Sequence, residues 1–195
     1  MVPLYYLPLD LDPQLRQEAE RWVRRFSAFL ALPPYSAPSE VRLVDQRLEE
    51  LLHPALEEDS LPGMAASACE ILFDLEDRQT GERPPPRLIV VCGPDSTVAQ
   101  KSKAGNPDAL WGGSVGCLAV VYRHEPTVVW HEMFHLFGAK DCYREEAPDE
   151  SALPLCGEER CIMQYAPALG KVGDPPFLCA ANVERVAGPW RHPGT

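Results

Sequence analysis

Nowhere in the 195 residues does an uninterrupted apolar run approach the ~18 residues that a membrane-spanning helix needs. The longest apolar clusters, at 87–92 (RLIVVC) and 116–122 (GCLAVVY), have the length of buried strands. Basic residues are scarce: 18 Lys and Arg stand against 29 Asp and Glu, for a net charge of −11. Nucleic acid and anionic membrane both attract basic patches, so neither is expected as a partner. The N-terminus has no basic start, its apolar run is short, and acid arrives at Asp10. No secretory signal is read there, so the chain either stays in the cell or has lost an upstream segment; the initial Met favours a cytoplasmic protein. Internal repeats, low-complexity tracts, phosphate-binding glycine loops and Ser-centred nucleophile elbows are missing too.

What is present suits one soluble globular domain: 45% hydrophobic and 24% charged residues, enough to bury a core. Seven cysteines cannot all pair internally. Cys69, Cys92 and Cys117 stand singly in apolar context and are read as buried small hydrophobes. Cys142, Cys156, Cys161 and Cys179 crowd the last third of the chain.

A first strand is predicted at residues 4–9. Asp12 is a good N-cap and Pro13 suits a first turn, so a helix opens there and keeps its spacing through Leu15, Ala19, Trp22, Val23, Phe26, Phe29 and Leu30. Pro33-Pro34 stops it. Residues 39–52 begin as a strand and continue as a helix. A helix follows at about 64–78, a strand at 87–92, a polar loop at 94–110 and a strand at 111–122. The next helix spans about 127–137, and a closing helix lies near 180–186.

The chemistry concentrates in residues 131–141 (HEMFHLFGAKD). Four residues of helix amount to about 400° of rotation and about 6 Å of rise, so His131 and His135 share one face. Two imidazoles so placed can converge on one zinc at roughly 2.0–2.1 Å each. Glu132, one residue round the helix, can reach a metal-bound water without ligating the metal. Gly138 can take the left-handed conformation that ends a helix and turns the chain back, and Asp141 then supplies a third ligand. Three protein ligands leave a fourth position for water, as a catalytic zinc requires. A shuffled chain of this composition shows His-Glu-x-x-His in about one case in a hundred; the added Gly and third ligand bring this to roughly one in ten thousand.

With these residues the chain resembles the metzincin clan of metallopeptidases, whose extended motif is HExxHxxGxx(H/D). The resemblance implies a Met-containing turn beneath the metal, and residues 161–165 (CIMQY) look like it, with Met163 as the methionine. In the astacin and serralysin branches a Tyr two residues after that Met binds zinc or stabilises the oxyanion; Tyr165 occupies the place, either in that role or as a structural residue. Over residues 87–186 the chain is most similar to archaemetzincins. These carry a Cys directly after the third ligand, a Cys two residues before the Met and a later Cys-x-x-Cys, which together bind a structural zinc. Cys142, Cys161 and Cys179 match, but Asn182 stands where the last Cys belongs. Cys156, in a longer loop, can restore a four-thiolate site; disulfides or unligated thiols are the alternative. Archaemetzincins also have His where Asp141 stands, although snapalysins use Asp. An anionic ligand lowers the net charge at the metal and weakens it as a Lewis acid. In the clan, the strand before the motif helix edges the cleft and pairs with extended substrate. Trp111-Gly112-Gly113 opens either such an edge or an ordinary strand with a glycine bulge.

The expected fold is therefore α+β and metzincin-like (a zincin fold), one catalytic domain over 1–195. Residues 1–138 hold a mixed twisted sheet with helices, and residues 139–195 form a small irregular subdomain with the Met-turn. The expected activity is hydrolysis of peptide bonds in a peptide or protein substrate by Glu132-assisted attack of zinc-bound water, with one catalytic Zn2+ and a second, structural Zn2+. Two other readings stay open: a zinc hydrolase of a non-peptide amide, and a non-catalytic metal- or peptide-binding module that keeps the ligands. A module that only binds has no need of Glu132.

Overall fold

Strict alternation along the first strand decides the layering. In β1 (Val2–Leu9), Val2, Leu4 and Tyr6 enter one apolar cluster, while Tyr5 and Leu7 enter another on the opposite face. The computed structural model describes residues 1–80, 85–104, 111–142, 161–163 and 176–187. Among them, β1 is followed by α1 (Pro13–Leu30), β2 (Ser39–Leu43), α2 (Gln46–Leu56), α3 (Leu61–Thr80), β3 (Arg87–Cys92) and α4 (Thr97–Ala104). Then come β4 (Gly112–Val115), β5 (Leu118–Val121), α5 (Pro126–Leu136) and α6 (Ala180–Ala187). The five strands form one mixed sheet in the order β2-β1-β3-β5-β4. All pairs are parallel except β4 with β5, so the sheet ends in an antiparallel edge strand.

Helices cover both faces. The first cluster joins α1 and α5 to the sheet, and the second joins α2, α3 and α4. Strands β3 and β5 are buried on both sides, which is why they read as continuous apolar runs. Phe26 of α1 is fully buried, with its ring 4.8 Å from Phe134 and 5.7 Å from Trp130 of α5. Burying one such ring stabilises by roughly 1.5–3 kcal/mol. The Trp130 indole N–H donates to the Trp22 carbonyl at 3.0 Å, which fixes α5 along α1.

Local signals explain most boundaries. Asp12 caps α1 by accepting from Leu15 N at 2.9 Å, and Asp45 caps α2 from Leu48 N at 2.8 Å. Three expectations need correction. The polar stretch 94–110 is not all loop, because residues 97–104 form α4; Ser96 caps it through Ala99 N at 3.1 Å, and buried Val98 and Ala99 seat it on the sheet. Residues 111–122 are not one strand but the hairpin β4–β5, reversed at Gly116 with φ +59°. Cys69 and Cys117 are not separate buried thiols: they form a disulfide that ties α3 to this hairpin. Cys92 is buried as expected, and burial pushes its thiol up to about 11.

Candidate metal centre

Helix α5 is buried almost all round, with Val128, Val129, Trp130, His131, Glu132, Met133, Phe134 and Leu136 inside. It ends in a Schellman arrangement: Ala139 N donates to Phe134 O at 3.1 Å and Gly138 N to His135 O at 2.9 Å. Gly138 has φ +94°, a conformation that a side chain would strain. The turn reverses the chain and carries Asp141 back to the two histidines.

Their reactive atoms form a nearly equilateral triangle. The Nε2 atoms of His131 and His135 are 3.2 Å apart, and Asp141 Oδ1 lies 3.2 Å from each. Three ligands at 2.0–2.1 Å around a tetrahedral ion have edges of about 3.3–3.4 Å, so the triangle has the size of a zinc site. The protonation pattern agrees. His131 Nδ1 donates to Ile162 O at 2.8 Å, and His135 Nδ1 donates to Ala139 O at 2.9 Å. Each neutral ring therefore turns a bare Nε2 lone pair inward, towards the other ring and the carboxylate. Asp141 Oδ1 is buried and has no well-aligned hydrogen-bond donor. Three electron pairs facing one another need a cation between them.

Without a metal, protons take that place. Burial alone would lower the His135 imidazole, but Asp141 outweighs it, with help from Glu132 and the Ala139 carbonyl, and lifts it to about 9. Burial would likewise raise Asp141, yet hydrogen bonding and charge from His131 and His135 hold it well below the usual carboxylate range. Glu132 behaves differently: burial dominates and pushes it up, against the pull of His131, His135 and the Ser114 hydrogen bond.

Glu132 sits beneath the edge strand. Gly112 and Ser114 project from the same face of β4, the face shared with Ala119 and Val121 of β5. The Ser114 hydroxyl hydrogen-bonds the carboxylate, while a methyl at Gly112 would come 3.0 Å from Glu132 Cγ. These contacts of β4 escape sequence reasoning, since one glycine and one serine in a strand carry no signature.

The second cluster lies next along the chain. Cys142 Sγ is 3.8 Å from Cys161 Sγ and 3.7 Å from Cys179 Sγ, and all three side chains are buried. Three thiolates at about 2.3 Å on a tetrahedral ion have edges of about 3.8 Å. A bridge between Cys161 and Phe177, and Cys142 N donating to Met163 O at 2.7 Å, bring the three segments together. The Cys161 thiol is lowered, first by its hydrogen bond with Cys142 and further by the Cys179 and Met163 backbone. Met163 is fully buried in the cluster that underlies α5. Tyr165 and Cys156 lie outside the described residues. His124 donates from Nε2 to Cys92 O at 2.9 Å.

The histidine and cysteine clusters are thus two groups able to hold a metal ion. No helix of the described residues is long and apolar enough to cross a membrane. No protein-family model, curated protein or solved structure matches the chain.

Proposed function

We propose that the chain is a zinc-dependent peptidase of the metzincin type. The observation that carries this reading is the 3.2 Å triangle of His131 Nε2, His135 Nε2 and Asp141 Oδ1, with a buried carboxylate one residue away at Glu132. His131, His135 and Asp141 would hold the catalytic ion, and the Ile162 and Ala139 carbonyls orient the two rings towards it. Zinc bound there supplies a Lewis acid that polarises a carbonyl and acidifies a water molecule.

The remaining work falls to the protein. Glu132 accepts the proton of the attacking water and returns it to the departing amine. In the metal-free site burial raises its carboxyl, which favours taking up that proton. Ser114 and the bare backbone at Gly112 hold that carboxylate in place. Strand β4 is an edge, so its outer backbone groups offer an extended peptide a row of sequence-tolerant hydrogen bonds. Asp141 is partly exposed, although its ligand oxygen Oδ1 is buried.

Cys142, Cys161 and Cys179 would hold a second, structural zinc, and the sequence offers Cys156, outside the described residues, as a fourth thiolate. Their near-3.8 Å spacing and burial support this assignment. The experiment for the catalytic site is Glu132→Ala: turnover on an unfolded protein substrate should fall by about 10²–10⁴-fold while zinc stays bound. Cleavage at the parent rate would remove Glu132 from the mechanism.

A further inference from the structure

Between the two clusters sits one fully buried amide, Asn182 in α6. Its Oδ1 accepts from Lys140 N at 2.9 Å, and its Nδ2 donates to Lys140 O at 2.8 Å. The same Nδ2 donates its other hydrogen to Cys142 Sγ at 3.3 Å. Lys140 is the residue before Asp141, and Cys142 the residue after it. The neighbouring carbonyl, Ala139 O, receives His135 Nδ1 at 2.9 Å. One side chain thus fixes both backbone groups of Lys140 and touches both ends of the segment that presents the third ligand.

We propose that Asn182 is a positioning residue that holds Asp141 in the ligand triangle and couples the histidine cluster to the cysteine cluster. It does not act as a ligand, because Oδ1 is committed to Lys140 and the atom facing sulfur is an N–H donor. Loss of the amide releases the Lys140 peptide units on either side, and the backbone that carries Asp141 loses its fixed direction. Outer contacts of this kind are commonly worth 10- to 100-fold in metal affinity.

This inference rests on the metal-site reading above, and cobalt separates the two. Cobalt(II) gives ligand-field bands at either cluster, but only the cysteine cluster adds thiolate-to-metal charge-transfer absorption, so ligand-field intensity that grows without charge transfer reports the histidine cluster. In the parent chain both should appear. Asn182→Leu, close in volume, should weaken cobalt binding at the histidine cluster by about 10- to 100-fold. It should also speed amide hydrogen exchange at Lys140 and Asp141 in the metal-free protein. Asn182→Asp keeps the acceptor for Lys140 N but loses both donors, and should cost about tenfold at the same cluster. It therefore carries the test if the leucine variant does not fold. Parent-like affinity and exchange in a folded variant would overturn the role of Asn182 and leave the metal site standing. Ligand-field bands that grow only in step with charge transfer in the parent would overturn the metal site, and this inference with it.

Discussion

Alanine at position 112 would place a methyl carbon 2.9 Å from Val120 O, 3.0 Å from Glu132 Cγ and 3.1 Å from Glu132 Oε1. Gly112 has no left-handed backbone to lose, so in open space the change would stabilise the fold by about 0.4–1 kcal/mol through the unfolded chain. Here all three contacts are too tight, and the shortest is with backbone of the sheet. Overpacking of this kind costs about 1–3 kcal/mol. The net expectation is a loss of about 1–2 kcal/mol, or a fall of about 2–8 °C in melting temperature for a chain this size. The strand or Glu132 must shift, so peptidase turnover should drop at least about tenfold, the equivalent of ~1.4 kcal/mol. Zinc content should not change, because no ligand is touched. Gly113→Ala is the control: its methyl meets only the end of the Leu61 side chain, at 2.9 Å, which can rotate away. Thermal melts, zinc assays and turnover on both variants check this. A Gly112→Ala protein as stable and active as the parent would refute the proposed packing of β4 on Glu132.

The histidine cluster should make both metal affinity and stability depend on pH. His135 in the metal-free protein titrates at about 9, so zinc must expel its proton below that pH. Apparent zinc affinity should therefore rise about tenfold per pH unit up to about pH 9, readable with a competing chelator. A raised histidine pKa stabilises fully below the unfolded value of about 6.5 and loses that contribution as pH climbs through 9. The depressed Asp141 contributes above the usual carboxylate range and loses it as pH falls. Both describe one ion pair. The contribution of this ion pair should thus be fullest between about pH 4 and 6.5, with up to about 3 kcal/mol of it lost by pH 9. Melts with chelator present test this; a stability that climbs from pH 6.5 to 9 contradicts the ion pair. Separately, the Cys69–Cys117 bond closes a loop of 48 residues, so the Cys69→Ala/Cys117→Ala double variant should lose about 4 kcal/mol in denaturant melts.

How much of this was legible in the sequence depended on the reach of each interaction. His131 and His135 announced themselves because helical spacing is local, and Asp141 because a single glycine turn delivers it. The caps at Asp12 and Asp45 are equally local, although only Asp12 drew notice. The buried strands β3 and β5 were visible as apolar runs, whereas α4 was hidden by a polar composition that caps and packing on the sheet override. Cys69 and Cys117 gave no spacing signal across 48 residues, and only the approach of α3 to the hairpin pairs them. Asn182 was noticed as a missing cysteine, but its actual partner is backbone, which leaves no trace in residue identity. The same holds for the Ile162 and Ala139 carbonyls that orient the rings.

Cleavage of a reduced, unfolded protein by the purified chain bears most directly on the central claim. Hydrolysis should proceed with zinc in the histidine cluster, stop when a chelator strips it, and return on adding zinc. Cleavage indifferent to chelation, or none by a chain whose histidine cluster is demonstrably loaded, would contradict a zinc peptidase built on His131, His135, Asp141 and Glu132.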